Sequence, residues 1–406
     1  MKFPSVFQSL KNSLFAKLYT AQTISLFGDA LTWLGLALLA YKLSPENSAE
    51  ILAIALTLRV TAFVIFSPLA GVIADRVNRK SILVITHIFQ MFIVALLPFV
   101  VEIWQLYVLI FSMNLFNAFF TPTYNATIPL VFDDKKMYGK AISLSASTYQ
   151  LLGVLGPGIA GALAAFIGLR QIFYLDAATF LIAAVVIFTL PGKLQVSKNQ
   201  EDGAVKKNTW KDIQTGTILL FKNKHLRFAL FMQLVASLAG AMILVCTVGY
   251  VKGDLSLGEA AYGWVMAAMG VGATLAAFSL GIINENISRT LMTFIGALVV
   301  SLVIMPGNLL SLPLLMIAWF LAGAAQSLVN VSMQTLIAVG VPKEVQGRVY
   351  GAHFAWSHLW WAFAYPLAGW LENAFSSSYF LYAGIIGFAI LVATFLIFYQ
   401  KKVFSV

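Results

Sequence analysis

The chain is 406 residues long, 60% hydrophobic and only 10% charged, with a mean hydropathy of +0.87. A soluble protein carries about 25% charged residues, so this composition excludes a large-cored soluble globule and points to an integral membrane protein. Beta-barrel strands would appear as short alternating segments. The apolar runs here are too long and too uniform for that, and the expected class is all-α.

A membrane-crossing helix needs about 20 predominantly apolar residues. Twelve such runs occur in chain order, near 18–41, 50–74, 81–99, 104–131, 140–166, 170–191, 225–251, 259–283, 289–306, 310–339, 346–372 and 378–399. The start, MKFPSVFQSLKNSLFAK, is basic and weakly amphipathic. It lacks a compact apolar core followed by a small-residue cleavage site, so no removable signal peptide is expected. Residues 192–224 form the one long polar interval. The expected organisation is therefore a six-helix bundle over 1–191, a cytoplasmic linker over 192–224 and a second six-helix bundle over 225–406. Within the linker, Trp210, Ile213, Ile218 and Phe221 predict a short amphipathic helix along the membrane surface.

The net charge of +10 is distributed by topology. With both termini on one side, that side holds 22 of the 26 Lys and Arg residues, and the other holds only Lys42, Arg170 and Lys252. Arg59 lies within a run. This asymmetry is the positive-inside signal, which predicts that both termini are cytoplasmic. It assigns the basic residues to topology and to anionic lipid, not to nucleic acid. The single cysteine, Cys246, allows no intramolecular disulfide and reads as a packing residue. The four histidines (His87, His225, His353 and His358) show no metal-binding spacing.

The two halves echo each other. Gly71 and Gly281 are 210 positions apart, Pro129 and Pro342 213, and Pro157 and Pro366 209. Near-constant offsets of this kind mark a six-plus-six repeat, the plan of many secondary transporters, with the substrate held near the midplane.

Polar side chains are costly in lipid and normally face the bundle or water. Run 10 carries Gln326, Asn330 and Gln334 at i, i+4 and i+8, one helical face. Run 4 carries Asn114, Asn117, Thr121 and Asn125; run 1 carries Gln22, Ser25, Asp29 and Thr32; run 7 carries Gln233 and Ser237. The first helix of every three-helix unit thus has a polar face, as the lining of an aqueous cavity requires. Interhelical hydrogen bonding alone is the competing reading for any single amide. Run 11 adds aromatic and imidazole groups at His353, Trp356, His358, Trp360, Trp361 and Tyr365. Two carboxylates lie within runs. Asp29 falls 12 residues past Lys17, about 18 Å along a helix and so near mid-membrane. Asp176 falls six past Arg170, nearer the outer surface. An intramembrane carboxylate can exchange a proton as its exposure changes, or can serve a structural ion pair. Arg59 is the available counter-charge, or a site for an anionic substrate.

The reversal GVIADRVNRKS at 71–81 places Gly71, Asp75, Arg76, Arg79 and Lys80 between two apolar runs. The pattern resembles the signature between helices 2 and 3 of the major facilitator superfamily. That resemblance implies a cytoplasmic latch in which Asp75 faces the start of run 11, where Gly347 and Arg348 stand; a carboxylate is favoured at a helix N-terminus. AQTISLFGDA (21–30), GPGIAGAL (156–163), FYLDAATFL (173–181), WKDIQTG (210–216) and VPKEVQGRVYG (341–351) resemble the enterobactin-exporter and macrolide-efflux branch. This resemblance implies export of a bulky amphiphile, such as a siderophore or macrolide, coupled to proton entry. On that reading Asp29, Asp176 and Arg59 serve coupling or substrate. Gln22, Ser25, Asn114, Asn117, Thr121, Gln233, Gln326, Asn330, Gln334, His353 and Trp360 line the cavity. Gly71, Asp75, Arg76, Arg79, Lys80 and Arg348 form the gate.

The FGD at 27–29 also resembles lysophospholipid transporters of the same superfamily, which keeps a flippase open. Metal efflux is a third reading, weakened by the lack of a His-rich tail or Cys cluster. No HExxH, GxSxG or paired-acid motif is present, so catalysis is not expected. The expected energy source is a proton gradient with no bound cofactor, and the expected working unit is a monomer among membrane lipids.

Overall fold

The computed structural model describes residues 5–132, 135–191, 209–282 and 288–399. Thirteen α-helices run through them: α1 (Ser13–Leu43), α2 (Ser48–Arg76), α3 (Arg79–Leu96), α4 (Ile103–Val131), α5 (Lys135–Ile167), α6 (Leu169–Phe188), α7 (Thr209–Lys222), α8 (Lys224–Gly249), α9 (Glu259–Ile282), α10 (Arg289–Ile304), α11 (Leu312–Gly340), α12 (Lys343–Ala374) and α13 (Tyr379–Tyr399). No strand occurs among the described residues. Ten helical stretches are long and apolar enough to cross a bilayer. α5 and α12, at 33 and 32 residues, also exceed the required length. All twelve apolar runs are helices, and α7 is the short helix expected in the linker.

Local chemistry sets the breaks. Asn78 accepts a hydrogen bond from Lys80 N at 3.0 Å and so caps α3. Gln105 Oε1 accepts from Glu102 N at 3.1 Å, closing a capping box on α4. Asn223 Oδ1 accepts from His225 N and Leu226 N at 3.0 and 3.3 Å, which separates α7 from α8. Such side chains satisfy amides that the first helical turn leaves unpaired. Between α5 and α6, Gly168 has φ +95°, a conformation that favours glycine.

The helices fall into two compact units: residues 1–39 with 58–204, and residues 40–57 with 205–406. The C-terminal end of α1 and the start of α2 therefore belong with the second unit. In the first unit, α3 packs on α4 and α6. Phe15, Leu18, Tyr124, Ala141 and Ile187 are among the buried side chains of its core. In the second, α8 packs against α10, α11, α12 and α13. It is enclosed over 83% of its most apolar stretch, whereas the corresponding stretch of α13 is enclosed over only 33%. α8 is thus a core helix, while α13 turns Leu381, Ile385, Leu396 and Ile397 outward. Exposed apolar side chains of this kind are what a lipid-facing helix presents.

Candidate functional site

In the first unit the site begins with small residues. A Cβ placed on Gly28 would stand 2.0 Å from Asp176 Oδ1 and 2.1 Å from Thr179 Oγ1. One placed on Gly35, two turns later, would stand 2.8 Å from the Phe173 ring. Both glycines lie on the α1 face that receives α6. On another side, a Cβ on Gly156 of α5 would stand 2.3 Å from Ala30 Cβ. Small residues let transmembrane helices approach closely, which strengthens packing where the hydrophobic effect gives little. The stretches 156–163 and 173–181 therefore both pack against 21–30.

This close approach delivers Asp176 to Thr32. Asp176 is fully buried, and the Thr32 hydroxyl donates to its Oδ2. Thr179 Oγ1 lies 3.0 Å from Asp176 Oδ1 and 2.7 Å from the Asp176 carbonyl, so one proton is shared between two acceptors. Asp29, the next residue after Gly28, differs. It is half-buried, and its Oδ1 is enclosed with no hydrogen-bond partner. Its electrostatic neighbours are Arg59 and Asp176. The Arg59 guanidinium lies over the Trp33 ring at 4.3 Å, a cation–π contact that holds the charge beside α1. The three charged residues singled out by sequence are thus brought together, with each oxygen of one carboxylate met by a hydroxyl and one oxygen of the other enclosed without a donor.

The remaining first-unit residues divide. Ser25 is buried and donates to Gln22 O at 3.1 Å. Asn114 is buried, donates to Ile110 O at 2.8 Å and leaves its Oδ1 unpartnered. Thr121 donates to Asn117 Oδ1 at 3.2 Å, so these groups bond along α4 itself. Of the expected gate, Gly71, Asp75 and Arg76 have side chains outside the described set. Arg79 is buried. Lys80 Nζ donates to Leu190 O at 2.6 Å and lies 4.9 Å from the Phe188 ring centroid. A cation at the end of α6 complements the negative end of the helix dipole.

In the second unit, three helices share a polar seam. Gln233 Oε1 on α8 can only accept, so His353 Nε2 on α12 donates to it, at 2.8 Å. Gln233 Nε2 in turn donates to Asn330 Oδ1 on α11 at 3.1 Å. Gln326, one turn before Asn330, leaves Nε2 enclosed and unpartnered. That nitrogen would stand 2.7 Å from a Cβ on Gly240, and the Trp361 ring 2.5 Å from it. Gln334 is exposed. Trp360 sits between Trp356 and Phe231, at centroid distances of 5.6 and 6.3 Å, with its Nε1 enclosed and unpartnered. Cys246 is buried and its thiol lies 3.8 Å from Ala368 O, as a packing residue does.

The linker helix packs onto the second unit, not merely along a surface. A Cβ on Gly216 of α7 would stand 2.1 Å from the Arg348 carbonyl oxygen on α12. Trp356 Nε1 donates to Thr217 Oγ1 at 3.4 Å, and the Phe221 and Trp356 rings meet edge-on at 5.1 Å. The stretches 210–216 and 341–351 therefore also meet. Arg348 itself is exposed. Sequence reasoning missed Thr179, Gly28, Gly216 and Gly240 as contact residues. It also missed a cavity of about 380 Å³ bordered by Tyr41, Glu46, Asp254, Glu372 and Tyr379. Among the described residues, no cluster of three or more His, Cys, Asp or Glu side chains could hold a metal ion.

Helical units of membrane-crossing length, with carboxylate, amide and imidazole groups set inside them, define a polytopic α-helical membrane protein. The chain belongs to the Major Facilitator Superfamily, which it matches over residues 18–247 and 229–405. It is 29% identical over 360 residues to the uncharacterized MFS-type transporter YfiS of Bacillus subtilis (strain 168), covering 82% of this chain and 81% of that one. It is 27% identical over 292 residues to the multidrug resistance protein MdtG of Escherichia coli (strain K12 / DH10B), covering 70% of this chain and 69% of that one. Among solved structures it resembles the nucleoside transporter NupG, with a TM-score of 0.73 at 15% identity over 95% of this chain and 99% of that chain. The last likeness is one of fold. The chain is a multi-pass membrane transporter of this superfamily, with two six-helix halves.

Proposed function

We propose that the protein exports a bulky, drug-like amphiphile from the cytoplasm by alternating access, in exchange for protons. It works as a monomer in a bacterial inner membrane with both termini cytoplasmic, and draws on the proton gradient with no resident cofactor. The observation that carries the proposal is Asp29: a carboxylate midway along α1, half-buried, with Oδ1 enclosed and unpartnered and Arg59 as its nearby opposite charge. A carboxylate without hydrogen-bond donors gains or loses a proton as its hydration changes, which is what an exchange cycle asks of it. Asp176 has a hydroxyl at each carboxylate oxygen, from Thr32 and Thr179, and is the structural partner in this scheme. The similarity to MdtG supports efflux of foreign compounds over uptake of a nutrient.

The test is uptake into everted membrane vesicles of a labelled macrolide, a labelled siderophore and a labelled lysophospholipid, with and without a proton gradient, for wild type and Asp29→Asn. Gradient-driven uptake of a soluble amphiphile, lost in the variant, is the expected result. Lysophospholipid movement that needs no gradient and survives the substitution would overturn the exchange mechanism and assign a flippase.

A further inference from the structure

The polar seam of the second unit has a direction. Because Gln233 Oε1 can only accept, His353 supplies the proton of that bond. The Gln233 amide nitrogen then donates to Asn330 Oδ1, which takes one of that oxygen's two lone pairs and turns the Asn330 nitrogen away from Gln233. Asn330 is exposed, and its amide N–H pair is available to a molecule beside the seam. One turn away, Gln326 Nε2 is enclosed with no acceptor among the described residues, and on α12 the same holds for Trp360 Nε1. Two enclosed donors on two helices thus lack acceptors, and the exposed Asn330 amide lies one turn from the first of them. An enclosed donor without an acceptor destabilises a fold, and it is costlier still at membrane depth, where water is scarce. The surfaces beside these donors are flat rings: Trp356, Trp360 and Phe231 on one side, and Trp361 with Tyr365 at 5.2 Å on the other.

We infer that Gln326, Asn330 and Trp360 read hydrogen-bond acceptors on the transported molecule. The substrate class is then a flat or ring-rich apolar body bearing carbonyl or ether oxygens, as in lactones, esters and quinones. The aromatic side chains stack on the body, and the three N–H groups take the oxygens. His353 is a positioning residue: by donating to Gln233 it fixes which way the Gln233 and Asn330 amides point, and hence that the seam shows nitrogen outward. Gln326 Nε2 and Trp360 Nε1 are enclosed in the state described, and the change of exposure in an alternating-access cycle opens them, so this inference rests on the transport reading above.

The test is equilibrium binding to the full chain in lipid nanodiscs, by saturation-transfer NMR, with empty nanodiscs as reference. The probes are coumarin, whose only polar groups are the two oxygens of a lactone, and naphthalene, the same two-ring frame without them. Wild type is expected to favour coumarin by about tenfold, the worth of one or two neutral hydrogen bonds. Gln326→Met and Trp360→Phe each delete a donor and keep most of the packing volume. Each is expected to weaken coumarin several-fold more than it weakens naphthalene, and not to lower the thermal midpoint, since an unpartnered donor has gone. If either folded variant lowers the thermal midpoint while leaving the coumarin-to-naphthalene ratio as in wild type, the groups are packing groups and the inference falls. It falls equally if wild type does not distinguish the probes. No gradient enters this measurement, so failure of proton coupling in vesicles and failure of acceptor recognition are separate results.

Discussion

Gly28 on α1 and Asp176 on α6 occupy one another's space: a Cβ at position 28 would stand 2.0 Å from Asp176 Oδ1. Only glycine lets the carboxylate lie against the helix backbone and reach the Thr32 hydroxyl one turn further on. Gly28→Ala must therefore push Asp176 off Thr32 or push α6 away from α1. Overpacking of this kind costs about 1–3 kcal/mol, before the lost hydrogen bonds are counted. The expected outcome is a lower thermal midpoint in detergent and reduced transport. Adding Asp176→Ala removes one of the two clashing groups, the other being Thr179 Oγ1 at 2.1 Å, so the double variant should lose less than the sum of the two single losses. Independent, additive losses would contradict the contact.

The two carboxylates should separate experimentally. Thr32→Val and Thr179→Val each take a donor from a fully buried Asp176. Intramembrane hydrogen bonds average about 0.6 kcal/mol and reach about 1.7, so a drop of that order in unfolding free energy is expected for each. Asp29→Asn removes no hydrogen bond at Oδ1 but takes the opposite charge from beside Arg59, so any loss of stability should be relieved when Arg59 is also made neutral. Gradient-driven transport is where it should fail. A variant at Asp29 that unfolds the protein while Thr32→Val does not would reverse these assignments.

Much of this site was legible in the sequence as residue type, and little of it as pairing. The stripe on α4 shows the limit. Asn114, Asn117 and Thr121 do share a face, yet Asn114 spends its amide on Ile110 O and Thr121 on Asn117. Spacing specifies a face, whereas the partner depends on which helix comes near. Asp29 and Asp176 stood out because charge is rare in apolar runs. That the second would meet hydroxyls and the first would not was decided by Gly28, whose missing side chain carries no chemical signal of its own. The membrane helices were readable because length and hydropathy suffice for ten of them, and length alone marks α5 and α12. The seating of α7 on α12 was not, because it turns on the backbone of Arg348.

In the second unit, His353 and Gln233 are expected to be coupled. Removing the imidazole leaves Gln233 Oε1 without the donor it has at 2.8 Å. A cycle built from His353→Leu, Gln233→Leu and the double variant should give a coupling energy of about 0.6–2 kcal/mol in thermal or chemical unfolding. His353→Gln can still donate and should retain most of it. Zero coupling would mean that the seam is not held together through this bond.

Gly216 and Arg348 give the sharpest test of the linker helix. The α7 backbone comes so near α12 that a Cβ at 216 would stand 2.1 Å from the Arg348 carbonyl oxygen. Leu220, one turn on, is fully buried in the same apolar cluster as Val349 and Met333. Gly216→Val cannot be absorbed by rotating a flexible side chain, because the atom in the way is backbone. It should lift α7 off α12, exposing Leu220 and Phe221. Limited proteolysis of membrane-embedded protein should then cleave within 209–222 faster in the variant than in wild type. Trp356→Phe keeps the edge-on ring contact and gives up only the 3.4 Å bond to Thr217, so its cleavage rate should stay near that of wild type. Equal protection of α7 in wild type and Gly216→Val would show that α7 does not need this contact to stay seated.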